Sequence, residues 1–227
     1  MWHVSRLGVS LLAEITKRPG EALAECLAAA ITQTAELHGD TCDLAHPGTP
    51  SATVIATRIG EEEGEYLVLA DSTLVLEPAD GRAPVAITDD RETKVGAVLR
   101  QPMDAEATGS QAHTDALRAY AEALRGHRNR PGGFWVAAAD SAAAHEALTG
   151  TVPCADLAGF TLLSDGASRL VDRFALADWF QTPRLVCAQG PAELIHQVRA
   201  GERDDAAGKR WPRGKAHDDA AVAAVTL

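Results

Sequence analysis

The chain has 227 residues, 21 Lys and Arg against 32 Asp and Glu, and a formal net charge of -11. That length suits a single domain over residues 1–227 with a sizeable buried core. The acidic balance argues against a protein that tracks a nucleic-acid backbone. The apolar runs are too short to span a bilayer, so neither nucleic acid nor membrane is an expected partner. Cys26, Cys42, Cys154 and Cys187 show no metal-ligand spacing, and the chain opens without a signal-peptide pattern. Such sparse cysteines suit a reduced, cytoplasmic setting. Aromatic residues are 4% of the chain, so the core must rest on Ala, Val, Leu and Ile.

Leu7, Leu11, Leu12 and Ile15 recur at helical spacing, Pro19-Gly20 breaks the pattern, and Leu23, Cys26, Leu27, Ala30, Ile31 and Leu37 resume it. The chain is therefore predicted to begin with a helical hairpin. Residues 43–51, with Pro47-Gly48-Thr49-Pro50, read as a turn. β-Branched and apolar runs at 52–59, 66–70, 73–76 and 85–88 predict four short strands, arranged as an antiparallel meander. Residues 89–109 read as irregular and polar. A helix is predicted over 113–125, a strand over 134–137 and a short helix over 141–148. The last third predicts a strand at 160–163, helices at 168–174, 176–180 and 191–200, a polar loop at 201–217, and a strand at 220–225. Within that loop, Arg203, Lys209, Arg210, Arg213 and Lys215 are interrupted by Asp204 and Asp205, and read as a solvated segment. The order implies an α+β fold with sheets covered by helices.

Three aspartates, Asp71, Asp165 and Asp218, fall where a strand meets a turn. Strand ends are rigid, so carboxylates there can be held in fixed geometry for a hard cation. Magnesium and manganese prefer oxygen ligands, and two such ions can activate water against a phosphoryl group. Taken singly, each aspartate reads more simply as a turn residue.

Taken together they read differently. Gly48-Thr49-Pro50-Ser51-Ala52-Thr53-Val54 resembles the Gly-Thr-Thr-Ala strand entry of the type 2C metal-dependent protein phosphatases. Leu67-Val68-Leu69-Ala70-Asp71-Ser72 resembles their Gly-Asp-Ser strand and turn, and Val85-Ala86-Ile87-Thr88-Asp89-Asp90 their Thr-x-Asp-His strand. Leu162-Leu163-Ser164-Asp165-Gly166 resembles the Ser-Asp-Gly metal motif, and His217-Asp218-Asp219-Ala220-Ala221-Val222 the closing Asp-Asn-x-Thr-Val motif. All five stand in the family's order. The resemblance implies two packed antiparallel β-sheets flanked by helices, a binuclear Mg2+ or Mn2+ centre between the sheets, and a phosphoserine or phosphothreonine protein as substrate. Asp165 and Asp218 would be metal ligands, with Asp71 and Asp219 serving a further metal or supporting these ligands.

The departures from the family pattern carry their own expectations. No residues match the family's N-terminal segment, with its acidic residue, its Asp-Gly motif and its phosphate-binding Arg. The chain is expected to start inside a longer domain, to lack part of the metal site, and to self-associate through an open sheet edge. Arg169 stands where many members place an acidic residue, Ala70 replaces a Gly, and Asp219 an Asn. The resemblance leaves two functions open: a metal-dependent phosphatase if complete, or a catalytically inactive regulatory or phosphoprotein-binding module. His217 adjoins Asp218 and reads either as an orienting group or as an exposed loop residue. Trp135, Trp179 and Trp211 read as packing residues.

Overall fold

The structure is a computed structural model that describes residues 2–39, 43–46 and 48–227. Met1, Cys42 and Pro47 lie outside the described residues. The predicted helical hairpin is α1 (Trp2–Lys17) and α2 (Leu23–Gly39), and four strands follow: β1 (Val54–Ile59), β2 (Glu63–Leu69), β3 (Thr73–Pro78) and β4 (Val85–Ile87). Helices α3 (Arg91–Leu99), α4 (Gln101–Asp104) and α5 (Gln111–Arg125) come next, then β5 (Leu148–Pro153) and β6 (Leu157–Leu163). The chain closes with α6 (Asp165–Asp172), α7 (Gln181–Gln189), α8 (Pro191–Asp204) and β7 (Val222–Thr226).

The strands form two antiparallel sheets, ordered β1-β2-β5 and β4-β3-β6-β7. Side-chain alternation builds four layers from them, because successive residues of a strand point to opposite faces. In β2, Leu67 and Leu69 join Leu7, Leu11, Leu23, Leu27 and Ile31 beneath the helical hairpin. Val68, between them, turns to the other sheet and meets Leu74, Leu76 and Phe160. In β3 the pattern is reversed: Leu74 and Leu76 face between the sheets, while Val75 packs with Leu163, Leu170, Phe174, Leu194 and Val198 under the C-terminal helices. The expected α+β sandwich of two antiparallel sheets flanked by helices is thus observed. Among the described residues, no helix is long and apolar enough to cross a membrane.

Several local expectations are corrected. The four early strands are no continuous meander: β1 pairs with β2 and β3 with β4, but β2 and β3 lie in different sheets. The reason is tertiary, since β6 takes the place beside β3 that β2 would otherwise fill. Residues 89–109 hold α3 and α4 rather than an irregular stretch. Phe134 and Ala137 make single bridges, to Arg128 and Ala52, instead of a strand. The helix expected at 176–180 is absent, while α7 and β5 were not anticipated. Polar Thr149, Gly150 and Thr151 in β5 carry no strand-like alternation, and cross-strand pairing with Glu65, Tyr66 and Leu67 decides their conformation.

The 201–217 segment is a solvated loop only in part, with Arg203, Lys209, Arg210 and Lys215 exposed. Its first residues complete α8, and Arg213 is buried. The Arg213 guanidinium donates to the carbonyls of Glu202, Asp205 and Trp211 and to the Asp205 carboxylate. Trp211 packs against Phe174 with ring centroids 4.9 Å apart.

The crossing between sheets runs through Ala70, which holds φ +68 and is buried among Leu124, Phe134 and Val136. An alanine in the left-handed region costs roughly 1–2 kcal/mol. Its buried methyl returns about 0.8 kcal/mol, and the lower chain entropy relative to glycine about as much again. The terms nearly cancel, so Ala70→Gly should shift unfolding free energy by less than about 1 kcal/mol in urea titration. Ala70→Val, whose β-branch opposes positive φ, should cost at least about 2 kcal/mol.

Candidate functional site

Asp71 sits on the crossing between the two sheets, and its turn is pinned on both sides. Ser72 Oγ lies 2.8 Å from Thr53 Oγ1, and the Asp89 N–H donates to the Ala70 carbonyl at 3.4 Å. Two rigid strands therefore hold this carboxylate at the end of the sandwich.

Asp165 reaches the same place from the end of β6, in the first turn of α6, where a carboxylate suits the positive helix terminus. Ser164 precedes that helix but does not cap it. Its hydroxyl accepts from the Ala221 N–H at 3.0 Å and donates to the Asp219 carbonyl at 3.2 Å. The Ser164 N–H also donates to the Ala221 carbonyl at 3.0 Å. These bonds stitch the entry of β7 onto the start of α6. Gly166 makes the contact possible, because a Cβ there would lie 2.2 Å from the Asp219 carbonyl oxygen and 3.3 Å from Asp218 Cβ. The Asp-Gly pair, readable as a turn signal, is required here by close backbone approach.

Three carboxylates converge. Asp71, Glu92 and Asp165 line one cavity of about 320 Å3, whose lining also includes Arg125 and Arg128. Asp218 lines an adjoining cavity of about 240 Å3 together with Asp71, Glu92, Arg169 and Lys215. Burial, with Glu92 and Asp165 nearby, pushes the Asp71 carboxyl up to about 7. Burial and Asp165 raise Glu92. Burial and Asp218 raise Asp165, against the opposing pull of Arg169. Glu92 was not among the sequence candidates. It lies in α3, whose Val95, Val98 and Leu99 follow helical spacing behind Asp90 at the N-cap, a signal legible in the sequence.

Asp218 differs from the other three. Its Oδ2 accepts from Arg169 Nη2 at 2.6 Å and its Oδ1 from Lys215 Nζ at 2.7 Å. Arg169 is itself buried and also bonds Glu202 at 3.2 Å. Glu202 is fully buried, accepts from Arg199 at 2.6 Å, and meets His217 Nδ1 at 2.7 Å. His217 thus orients no cleft carboxylate; it is an exposed side chain resting on Glu202. Asp219 is exposed and contributes its backbone carbonyl to the α6 junction. Asp89 is buried against Arg91 at 2.6 Å.

These donors do not fit a binuclear hard-cation centre as they stand. Among the described residues, no three His, Cys, Asp or Glu side chains form a group that could hold a metal ion. Asp218, one of the two expected ligands, gives both oxygens to cationic side chains. A hard divalent ion takes about six oxygens, so a centre here would need donors beyond Asp71, Glu92 and Asp165.

No family model matches the sequence, and no curated protein matches it. Solved structures do match. A serine-threonine phosphatase 2C from Toxoplasma gondii superposes with a TM-score of 0.50 at 11% identity, over 94% of this chain and 70% of that one. PppA of Pseudomonas aeruginosa, a regulatory component of its T6SS, gives 0.48 at 14% identity, over 96% and 77%. The serine/threonine phosphatase Stp1 of Staphylococcus aureus gives 0.45 at 13% identity, over 90% of this chain and 65% of that one. The chain therefore spans just under two thirds of the staphylococcal protein's length. The architecture is that of the Toxoplasma type 2C phosphatase, and at 11% identity the likeness is one of fold.

Two measurements test the cleft. A carboxyl whose folded pKa exceeds its unfolded value costs nothing below the unfolded value. Its cost grows as pH rises toward the folded value, so for Asp71 stability is lost between 3.8 and about 7. Asp71→Asn should therefore raise the urea midpoint at pH 8, by on the order of 2 kcal/mol of unfolding free energy, and leave it nearly unchanged at pH 4. Gly166→Ala must displace backbone rather than a flexible side chain. It should lower stability by about 1–3 kcal/mol in the same titration.

Proposed function

We propose that this chain is a serine/threonine protein phosphatase-like domain that engages phosphoserine or phosphothreonine on a protein partner at the cleft between its sheets. One observation carries the reading. Asp71, Glu92 and Asp165 arrive from three separate parts of the chain on a single cavity, in a type 2C fold, with two arginines in the same lining. Half-buried carboxylates that repel one another are an arrangement a cation would relieve, which supports metal-dependent phosphomonoester hydrolysis as the chemistry of this cleft.

A second reading, a catalytically inactive phosphoprotein-binding module, is favoured by the state of Asp218. Arg169 and Lys215 neutralise it with their own charges, and a divalent ion would have to displace both.

Manganese-dependent hydrolysis of a small aryl phosphate separates the readings, measured beside Asp165→Asn and Asp218→Asn. The expected result for the chain as it stands is no turnover above background, with preferential binding of a phosphoserine peptide over its unphosphorylated twin. Turnover that needs manganese and both aspartates would instead establish the enzyme. A folded protein that neither turns over nor prefers the phosphorylated peptide would sink the functional reading altogether.

A further inference from the structure

The flank of the sandwich formed by β1 and β7 is open. β1 ends one sheet and β7 ends the other, so among the described residues neither has a second strand beside it. Between them runs a groove of about 360 Å3 whose lining includes Val4, Ile55, Leu162, Val222 and Ala223 and no charged side chain. Ile55 and Leu162 also pack against the cluster of Val68, Leu74 and Phe160, so the groove is the inter-sheet core reaching the surface. On α1, Val4, Gly8 and Leu12 follow at helical spacing, and all three are exposed. A side chain at Gly8 would meet nothing within 4 Å. The groove and this helical stripe meet at Val4.

β7 carries none of the features that normally protect an edge strand. Its residues, Val222–Thr226, include no charge and no proline, and its pairing with β6 runs without a bulge. Ala223 and Val225 stand opposite Leu162 and Phe160, which sets them on the inter-sheet side, and both are exposed. Unpaired backbone N–H and C=O groups on such an edge are a template for another strand.

Charge selects the occupant. The chain has 32 Asp and Glu, and its net charge of -11 makes two copies repel on average. Residues 1–13, 48–60, 157–164 and 220–227, which build the groove and its two edges, contain none of those acidic residues. A basic partner would be drawn to the acidic remainder of the molecule, and an acidic one repelled by it. The flank is where a second identical chain meets least repulsion. β7 is also complementary to itself: in an antiparallel pair about Ala224, Val222 stands opposite Thr226, a pairing of β-branched side chains. Stable interfaces bury about 800 Å2 per partner, more than one strand supplies. The α1 stripe extends the same uncharged surface.

We propose that this flank is the interface of a two-fold homodimer, in which β7 of one copy pairs antiparallel with β7 of the other and joins their sheets into one. The proposal rests on the open flank and is independent of the function proposed above.

Sedimentation velocity over a concentration series tests it. The expected mass is twice the 23.9 kDa of one chain, dissociating on dilution. The main variant, Ala223→Glu with Val225→Glu, places carboxylates on the exposed flank and should weaken association at least about tenfold. Circular dichroism checks its fold, and Leu12→Glu on α1, which leaves the sheets untouched, should act in the same direction. Ala224→Cys should crosslink to itself under mild oxidation, beyond the wild-type background from Cys154 and Cys187. Monomer at every concentration, or a dimer that none of these variants weakens, would overturn the proposal. A ladder of higher oligomers would overturn the two-fold arrangement. A monomer that raises the fluorescence of anilinonaphthalenesulfonate, with the rise lost in the double variant, would overturn the second copy and give the flank to a strand from another protein.

Discussion

The carbonyl oxygen of Asp219 lies almost where a side chain on residue 166 would begin. That contact sets the end of the sandwich. It brings the entry of β7 against the first turn of α6, so that Asp218 comes close enough to help raise the Asp165 pKa. The serine bonds at Ser164 then lock the junction. Without a glycine at this point the two backbones would separate, and the cleft would lose one wall.

Around that junction the cleft is electrostatically divided. Asp71, Glu92 and Asp165 crowd together with raised pKa values because burial and mutual repulsion both oppose ionisation. Asp218, a short distance away, is compensated by Arg169 and Lys215. Arg169 in turn belongs to a network with Glu202, Arg199 and His217 that holds α6, α8 and the segment before β7 together. A residue expected to bind cations is thereby tied into the packing of the C-terminal helices. Breaking a buried, hydrogen-bonded ion pair by removing one partner is costly, so Asp218 serves structure as well as any ligand.

The helical hairpin, the early strands and the C-terminal strand were legible because their apolar positions follow periods that local geometry imposes. The regions that were misread lack such periods or are overruled by neighbours. β5 is polar and takes its form from β2. Residues 176–180 follow a helical pattern but form turns, with the Asp178 carboxylate accepting the Phe180 and Gln181 N–H groups. In the site, Asp71 and Asp165 were found by motif and do meet. Asp219 gives its backbone carbonyl to the α6 junction, and Glu92 lies in a segment whose polar composition reads as irregular.

From the order of residues alone came the helical hairpin, most of the strands, the α+β class and the likeness to type 2C phosphatases, since these depend on periodicity and on short motifs whose residues are adjacent in the chain. Which sheet each strand joins, which carboxylates share a cavity, and which of them already have cationic partners depended on contacts between residues far apart in sequence. Arg169 and Asp218 are 49 positions apart. A local pattern cannot report such a pair, because its energy exists only once α6 and the β7 entry have been packed together.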